Sequence, residues 1–132
     1  MYAFVDGGFS GIERSSKHSY IIMNENRKIV RKRKFRGFEK DSMCAELRSI
    51  EKLLQDLIHE DVQGMVIYSD CKPLINAINN GDKISINCDY LKFLLKKSGT
   101  TLQWIPRGKN RNADKLVHSI GKPKIKSGLL IK

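Results

Sequence analysis

A chain of 132 residues, 40% hydrophobic and 30% charged, fits one domain with a sizeable core and is too short for two. Its 25 lysines and arginines outnumber 14 aspartates and glutamates, and the formal net charge of +11 points to a polyanionic partner. No apolar run approaches the roughly 20 residues a bilayer requires, the N-terminus reads straight into a strand, and Cys44, Cys71 and Cys88 are odd in number without C-x-x-C spacing. A cytoplasmic protein is expected, with free thiols, no membrane attachment, no zinc knuckle and no obligate protein partner.

Residues 2–6 read as a short buried strand, because Tyr2-Ala3-Phe4-Val5 is apolar and ends at Asp6, with Gly7-Gly8 predicting a tight turn next. His18 to Met23 reads as a second strand and Asn24-Glu25-Asn26 as a turn. Residues 28–36 give a third strand, with Ile29 and Val30 inward and the later basic residues alternating toward an exposed face. This is a three-stranded antiparallel meander. Asp41 or Ser42 caps a helix to about His59, on which Met43, Leu47, Ile50, Leu53, Leu54, Leu57 and Ile58 recur at helical spacing. Glu46 falls on that stripe, followed by Ile50, Leu53 and Leu57.

After Gly64, Met65 to Ser69 reads as a strand, and Asp70-Cys71-Lys72-Pro73 opens a helix that Asn79-Asn80-Gly81 closes. Residues 89–97 predict a short helix with Leu91, Leu94 and Leu95 inward, broken by Gly99. Thr100 to Ile105 forms the last strand and Pro106-Arg107-Gly108 a turn. Asn110 or Asn112 then caps a final helix carrying Asp114 and Leu116-Val117. Phe4, Tyr68 and Trp104 read as core. The order βββαβααβα predicts an α/β fold whose five-stranded mixed sheet, three strands antiparallel plus two parallel, is flanked by helices. Residues 121–132 read as a basic C-terminal tail.

Asp6 and Asp70 both end apolar strands, where open α/β sheets bind ligands. With Glu46 from a core stripe and Asp114 from the last helix, they read as one site for divalent cations, which favour hard oxygen ligands. Each acid also has an ordinary reading: Asp6 as a turn residue, Asp70 as a helix cap, Glu46 reaching solvent from the stripe edge, Asp114 as a first-turn acid favoured by the helix dipole. Carboxylates alone would repel a phosphodiester, so surrounding cations matter. Arg31, Lys32, Arg33, Lys34 and Arg36 crowd one segment, Lys109, Arg111 and Lys115 surround Asp114, and Lys122, Lys124 and Lys126 mark the tail.

Asp6-Gly7-Gly8, Ala45-Glu46-Leu47, Ser69-Asp70, Trp104-Ile105-Pro106-Arg107 and Asn110-Arg111-Asn112-Ala113-Asp114-Lys115-Leu116 occur in an order that resembles type 1 ribonuclease H. The resemblance implies a catalytic domain over residues 1–120. Two Mg²⁺ ions, with Mn²⁺ as a substitute, would be held by four acids: Asp6 bridging both, Glu46 and Asp70 completing one, Asp114 helping to hold the other. It implies endonucleolytic cleavage of the RNA strand of RNA/DNA hybrids, leaving 3′-hydroxyl and 5′-phosphate ends. Gly7, Gly8, Phe9, Arg107, Lys109, Asn110 and Arg111 are the implied nucleic-acid contacts. The chain departs from many members in three places. The loop at 106–110 has no His, Arg111 stands where an acid is common three positions before the last Asp, and Asp41-Ser42-Met43 replaces the usual Asn residues. Two alternatives follow: a catalytically weak domain binding hybrid or double-stranded RNA, or a ribonuclease H-like nuclease acting on other nucleic acids.

Overall fold

The computed structural model describes residues 1–60, 62 and 64–111. Its elements run β1 (Tyr2–Ser10), β2 (Ser15–Met23), β3 (Ile29–Gly37), α1 (Ser42–Asp56), β4 (Val66–Ser69), α2 (Lys72–Asn80), α3 (Asp89–Ser98) and β5 (Thr101–Trp104), then a 3-10 turn at Arg107–Lys109. These residues form a five-stranded sheet of order β3-β2-β1-β4-β5. β1, β2 and β3 pair antiparallel through tight connections, whereas β4 lies parallel to β1 and β5 parallel to β4. Parallel neighbours need crossover connections, and helices supply them: α1 between β3 and β4, α2 and α3 between β4 and β5. The mixed sheet with helices is the α/β architecture expected from the sequence.

Alternation along the strands sends Ala3, Val5, Tyr20, Ile22, Ile67 and Leu102 into the core, against Ile50, Leu53 and Leu54 of α1 and Leu91 of α3. Asp41 starts α1 by accepting the Cys44 N–H at 2.8 Å. Gly99 ends α3 in the left-handed conformation at φ 64°, open to glycine without steric cost.

Several local expectations are corrected. Gly7-Gly8 is no turn: β1 continues to Ser10, pairing residue by residue with β2 down to Ser15, and the reversal falls at 11–14. Ile29 and Val30 are exposed because β3 is an edge strand. The helix-facing positions of β3 go instead to Arg31 and Arg33, whose guanidinium groups pair with Glu60 at 2.8 Å and Asp56 at 2.7 Å. Trp104 lies on the opposite edge strand, is 43% exposed, and has the Lys72 ammonium 5.0 Å from its ring centroid. Phe4 and Tyr68 are half-buried and stack on each other at 5.4 Å. The first helix stops at Asp56, short of His59, and Ile58 is exposed. The predicted final helix with Asp114, and the tail, lie outside the described residues.

A histidine holds the meander to α1. His18 is fully buried, and its Nδ1 lies 3.0 Å from the Ala45 carbonyl oxygen and 3.0 Å from Ser49 Oγ. A carbonyl can only accept, so Nδ1 carries the proton and Nε2 accepts from the Ser16 hydroxyl at 2.7 Å. Ser16 Oγ in turn accepts the Glu39 N–H, and the Ser49 hydroxyl lies 3.1 Å from the Asp6 carbonyl oxygen. The ring stacks on Phe35 at 4.6 Å. Burial pushes the His18 pKa down to about 4, against the raising effect of its bond to Ala45 and with help from the Arg48 charge. Unfolded His18 takes up its proton near pH 6.5, so its contribution to stability is complete above that pH and is lost as pH falls toward 4. Urea unfolding of His18→Gln should show a loss of about 2–3 kcal/mol at pH 7 and a flatter dependence between pH 6.5 and 4. Parallel curves for variant and parent would refute this account.

Candidate metal centre

Pairing between β1 and β4 ends at Phe4 and Tyr68, but β1 itself runs on to Ser10. Past that point side chains, not a strand, take the backbone groups on this flank of β1. The Glu46 carboxylate accepts the Gly7 N–H at 2.8 Å, and the Asn110 side-chain amide donates to the Val5 carbonyl at 2.7 Å. Glu46 can reach so far because α1 lies directly on the strand. A Cβ built on Gly7 would stand 2.4 Å from the Ala45 carbonyl carbon and 2.6 Å from the Glu46 nitrogen. Gly7 therefore makes room for the helix. Gly8, with nothing within 4 Å of its Cβ position, faces open space.

Ser69, the last residue of β4, lies two positions after the buried Ile67 and so turns to the same side, toward α1. Its hydroxyl donates to the second Glu46 oxygen at 2.5 Å and accepts the Cys71 N–H at 3.1 Å. Asp70 follows, with the Asn110 amide 3.4 Å from its Oδ2. Carboxylate oxygens of Asp6, Glu46 and Asp70 all lie within 4.8 Å of one another. Asp6 and Glu46 are buried and Asp70 is half-buried.

Burial first, then the neighbouring charge of Asp6, holds the Glu46 carboxyl well above the usual carboxylate range. Asp70 adds to this, against the lowering effect of the bonds from Ser69 and Gly7. A divalent cation would relieve the same repulsion that a proton on Glu46 relieves. Each Glu46 oxygen accepts one protein hydrogen bond and keeps lone-pair capacity for a second partner. The buried Asn110 Oδ1 has no hydrogen-bond partner among the described residues. Three carboxylates make an all-oxygen donor set that fits a hydrated hard cation such as Mg²⁺.

The model of the reverse transcriptase-like family matches residues 4–120. The chain belongs to the reverse transcriptase-like family. Solved structures give the fold its name. LC11-RNase H1, isolated from compost by a metagenomic approach and crystallised with an RNA/DNA hybrid, superposes with a TM-score of 0.75 at 18% identity, over 89% of this chain and 94% of that one. RNase H1 of the halophilic archaeon Halobacterium salinarum gives 0.76 at 15% identity, over 89% and 94%. The N-terminal RNase H domain of Rv2228c from Mycobacterium tuberculosis gives 0.73 at 16%, over 90% and 98%. No curated protein sequence matches the chain. This member of the reverse transcriptase-like family thus has the fold of type 1 ribonuclease H, as its motifs suggested.

Within that family fold, three of the four expected acids, Asp6, Glu46 and Asp70, come together, and Asp114 lies outside the described residues. Phe9, near the end of β1, is 38% exposed. Arg107, Lys109 and Arg111 are exposed in and after the 3-10 turn, and Arg111 Nε donates to the Gly108 carbonyl at 3.1 Å. Asn110 departs from the expectation of a nucleic-acid contact: it is fully buried, its amide directed at Val5 and Asp70. Sequence reading did not single out the orienting roles of Ser69 and Asn110. The alternation from Ile67 could have revealed the first, whereas the second depends on a contact 105 residues distant. No described helix is long and apolar enough to cross a membrane.

Glu46 gives this centre a pH signature. An acid whose pKa is raised on folding stabilises the folded state least once pH exceeds that raised value, so the metal-free protein should lose stability as pH climbs above about 4.5. Glu46→Gln should remove this loss and leave the variant more stable than the parent at pH 8 in chelator, while weakening the rise in melting temperature that Mg²⁺ gives the parent. An unchanged response to Mg²⁺ would place the ion elsewhere.

Proposed function

We propose that this chain is a metal-dependent endoribonuclease that cleaves the RNA strand of RNA/DNA hybrids through a two-metal-ion mechanism. Asp6, Glu46, Asp70 and Asp114 hold the two Mg²⁺ ions, which Mn²⁺ can replace. The observation that carries this reading is the meeting of Asp6, Glu46 and Asp70 within 4.8 Å, just past the point where the pairing of β1 with β4 ends, in a fold shared with LC11-RNase H1 and its bound hybrid. When bound, such ions supply concentrated positive charge at a scissile phosphate, stabilising the charge that builds up in displacement.

The chain's own residues orient the donors. Gly7 N–H and Ser69 Oγ fix both oxygens of Glu46, so the carboxylate presents a defined face to the centre. Asn110 bridges the backbone just before Asp6 and the side chain of Asp70, setting the spacing of these two acids. A net charge of +11 offsets the carboxylates and draws in a polyanion. In this reading residues 1–120 form the catalytic domain, and the enzyme works in the cytoplasm without an obligate protein partner.

Incubation with an RNA-labelled hybrid and Mg²⁺ or Mn²⁺ tests the proposal. The parent should release fragments ending in 5′-phosphate, and Asp70→Asn should cut the rate by at least about 100-fold. Equal rates would remove the acids from the chemistry, and tight binding of the hybrid without cleavage in either metal would establish a binding domain instead.

A further inference from the structure

The basic run of β3 is divided by the sheet. In antiparallel pairing, residues directly opposite one another share a face. Ala3, Ile22 and Arg31 form one such row and Val5, Tyr20 and Arg33 another, both on the α1 side. Arg31 and Arg33 pair there with Glu60 and Asp56. The intervening residues turn the other way: Asp6, Ser19 and Lys34 form one row and Gly8, Lys17 and Arg36 the next, with Lys32 in the row of Phe4. The cations at alternate positions of β3 therefore stand on the sheet face that carries the metal-site residue Asp6.

Their placement suits a phosphodiester backbone. Strands lie about 4.8 Å apart, so the β3 row is about 10 Å from Asp6, and residues two apart on it are separated by about 6.7 Å. Arg36 and Lys17 belong to the row two residues past Asp6 along β1, next to the row in which Asp6 joins the carboxylate cluster. Gly8 completes that row without a side chain, and its Cβ position meets only open space, so nothing in it stands between these cations and the acids' side of the strand. Arg36 is exposed, and Lys17 is half-buried with Glu13 at 3.9 Å, a long contact for an ion pair.

We propose that Lys17, Lys34 and Arg36 form a phosphate-binding flank, which holds the backbone of the nucleic acid whose scissile strand lies at the carboxylates. Arg31 and Arg33 serve the fold instead. This assignment rests on the proposed hybrid substrate. Each backbone contact adds about one unit to the slope of log affinity against log salt, whereas a structural ion pair adds none.

Asp70→Asn protein, used to prevent cleavage, would be titrated with a labelled hybrid at fixed Mg²⁺ and varied KCl. Adding Lys17→Gln and Arg36→Gln should weaken binding about five- to thirtyfold near 0.1 M salt and lower the slope by about one to two, with the melting temperature preserved. Adding Arg31→Gln and Arg33→Gln should lower the melting temperature and leave the slope unchanged. Arg36→Lys, which keeps the charge, should restore most of the affinity when Lys17 is intact. Unchanged affinity and slope in the Lys17/Arg36 double variant would overturn the flank alone, and no hybrid binding by the Asp70→Asn parent would overturn both the flank and the substrate.

Discussion

At Gly7, α1 rests on β1 with no side chain between them, and the carboxylate cluster depends on that contact. The missing Cβ lets the backbone of Ala45 and Glu46 come down onto the strand, and the same glycine gives its N–H to the acid it admits. Two further ties fix the helix in register: Ser49 reaches the Asp6 carbonyl, and His18 reaches Ala45. Glu46 is placed by backbone packing, with little left to its own rotamer freedom. A buried carboxylate held beside two others costs several kcal/mol, so the packing that positions it also stores an unfavourable charge that a cation can relieve.

Much of this was legible in the sequence where burial follows hydrophobicity. Tyr2-Ala3-Phe4-Val5, Met65 to Ser69 and the Ile50-Leu53-Leu57 stripe declare two strands and a helix, so Asp6, Asp70 and Glu46 could be placed on them as anomalies. The start of β2 was hidden, since Ser15, Ser16, His18 and Ser19 are polar and buried together. For Ser16 and His18 burial is sustained by reciprocal hydrogen bonds, which no apolar period reports. Gly7-Gly8 read as a turn for a related reason: glycine is a local signal of reversal, but here both lie in an extended strand and Gly7 is needed for the close approach of α1. Ile29, Val30 and Trp104 were assigned to the core as apolar residues on strands. Which strands form the edges is a property of sheet order, and order comes from long-range pairing.

The charges of this protein separate by face. Acids on the helix side are partly matched: Asp56 accepts from Arg33 and from the Tyr20 hydroxyl, and Glu60 takes Arg31. Such exposed and half-exposed pairs contribute little individually. Their effect is to hold half of a basic segment against the body of the protein, leaving the alternate cations to the other surface. Composition alone gives a single number, +11, whereas the pleat turns it into two populations with different work.

Asn110 gives the centre an order of assembly. Its amide joins Val5 to Asp70 across 105 and 40 residues of chain, so the spacing of Asp6 and Asp70 is set by a residue that follows every described strand. A nascent chain emerging from the N-terminus can pair β1 with β2 and pack α1 long before that amide exists. The tie can close only after β5 has been made, so the spacing of Asp6 and Asp70 is settled later than the packing of α1 on β1.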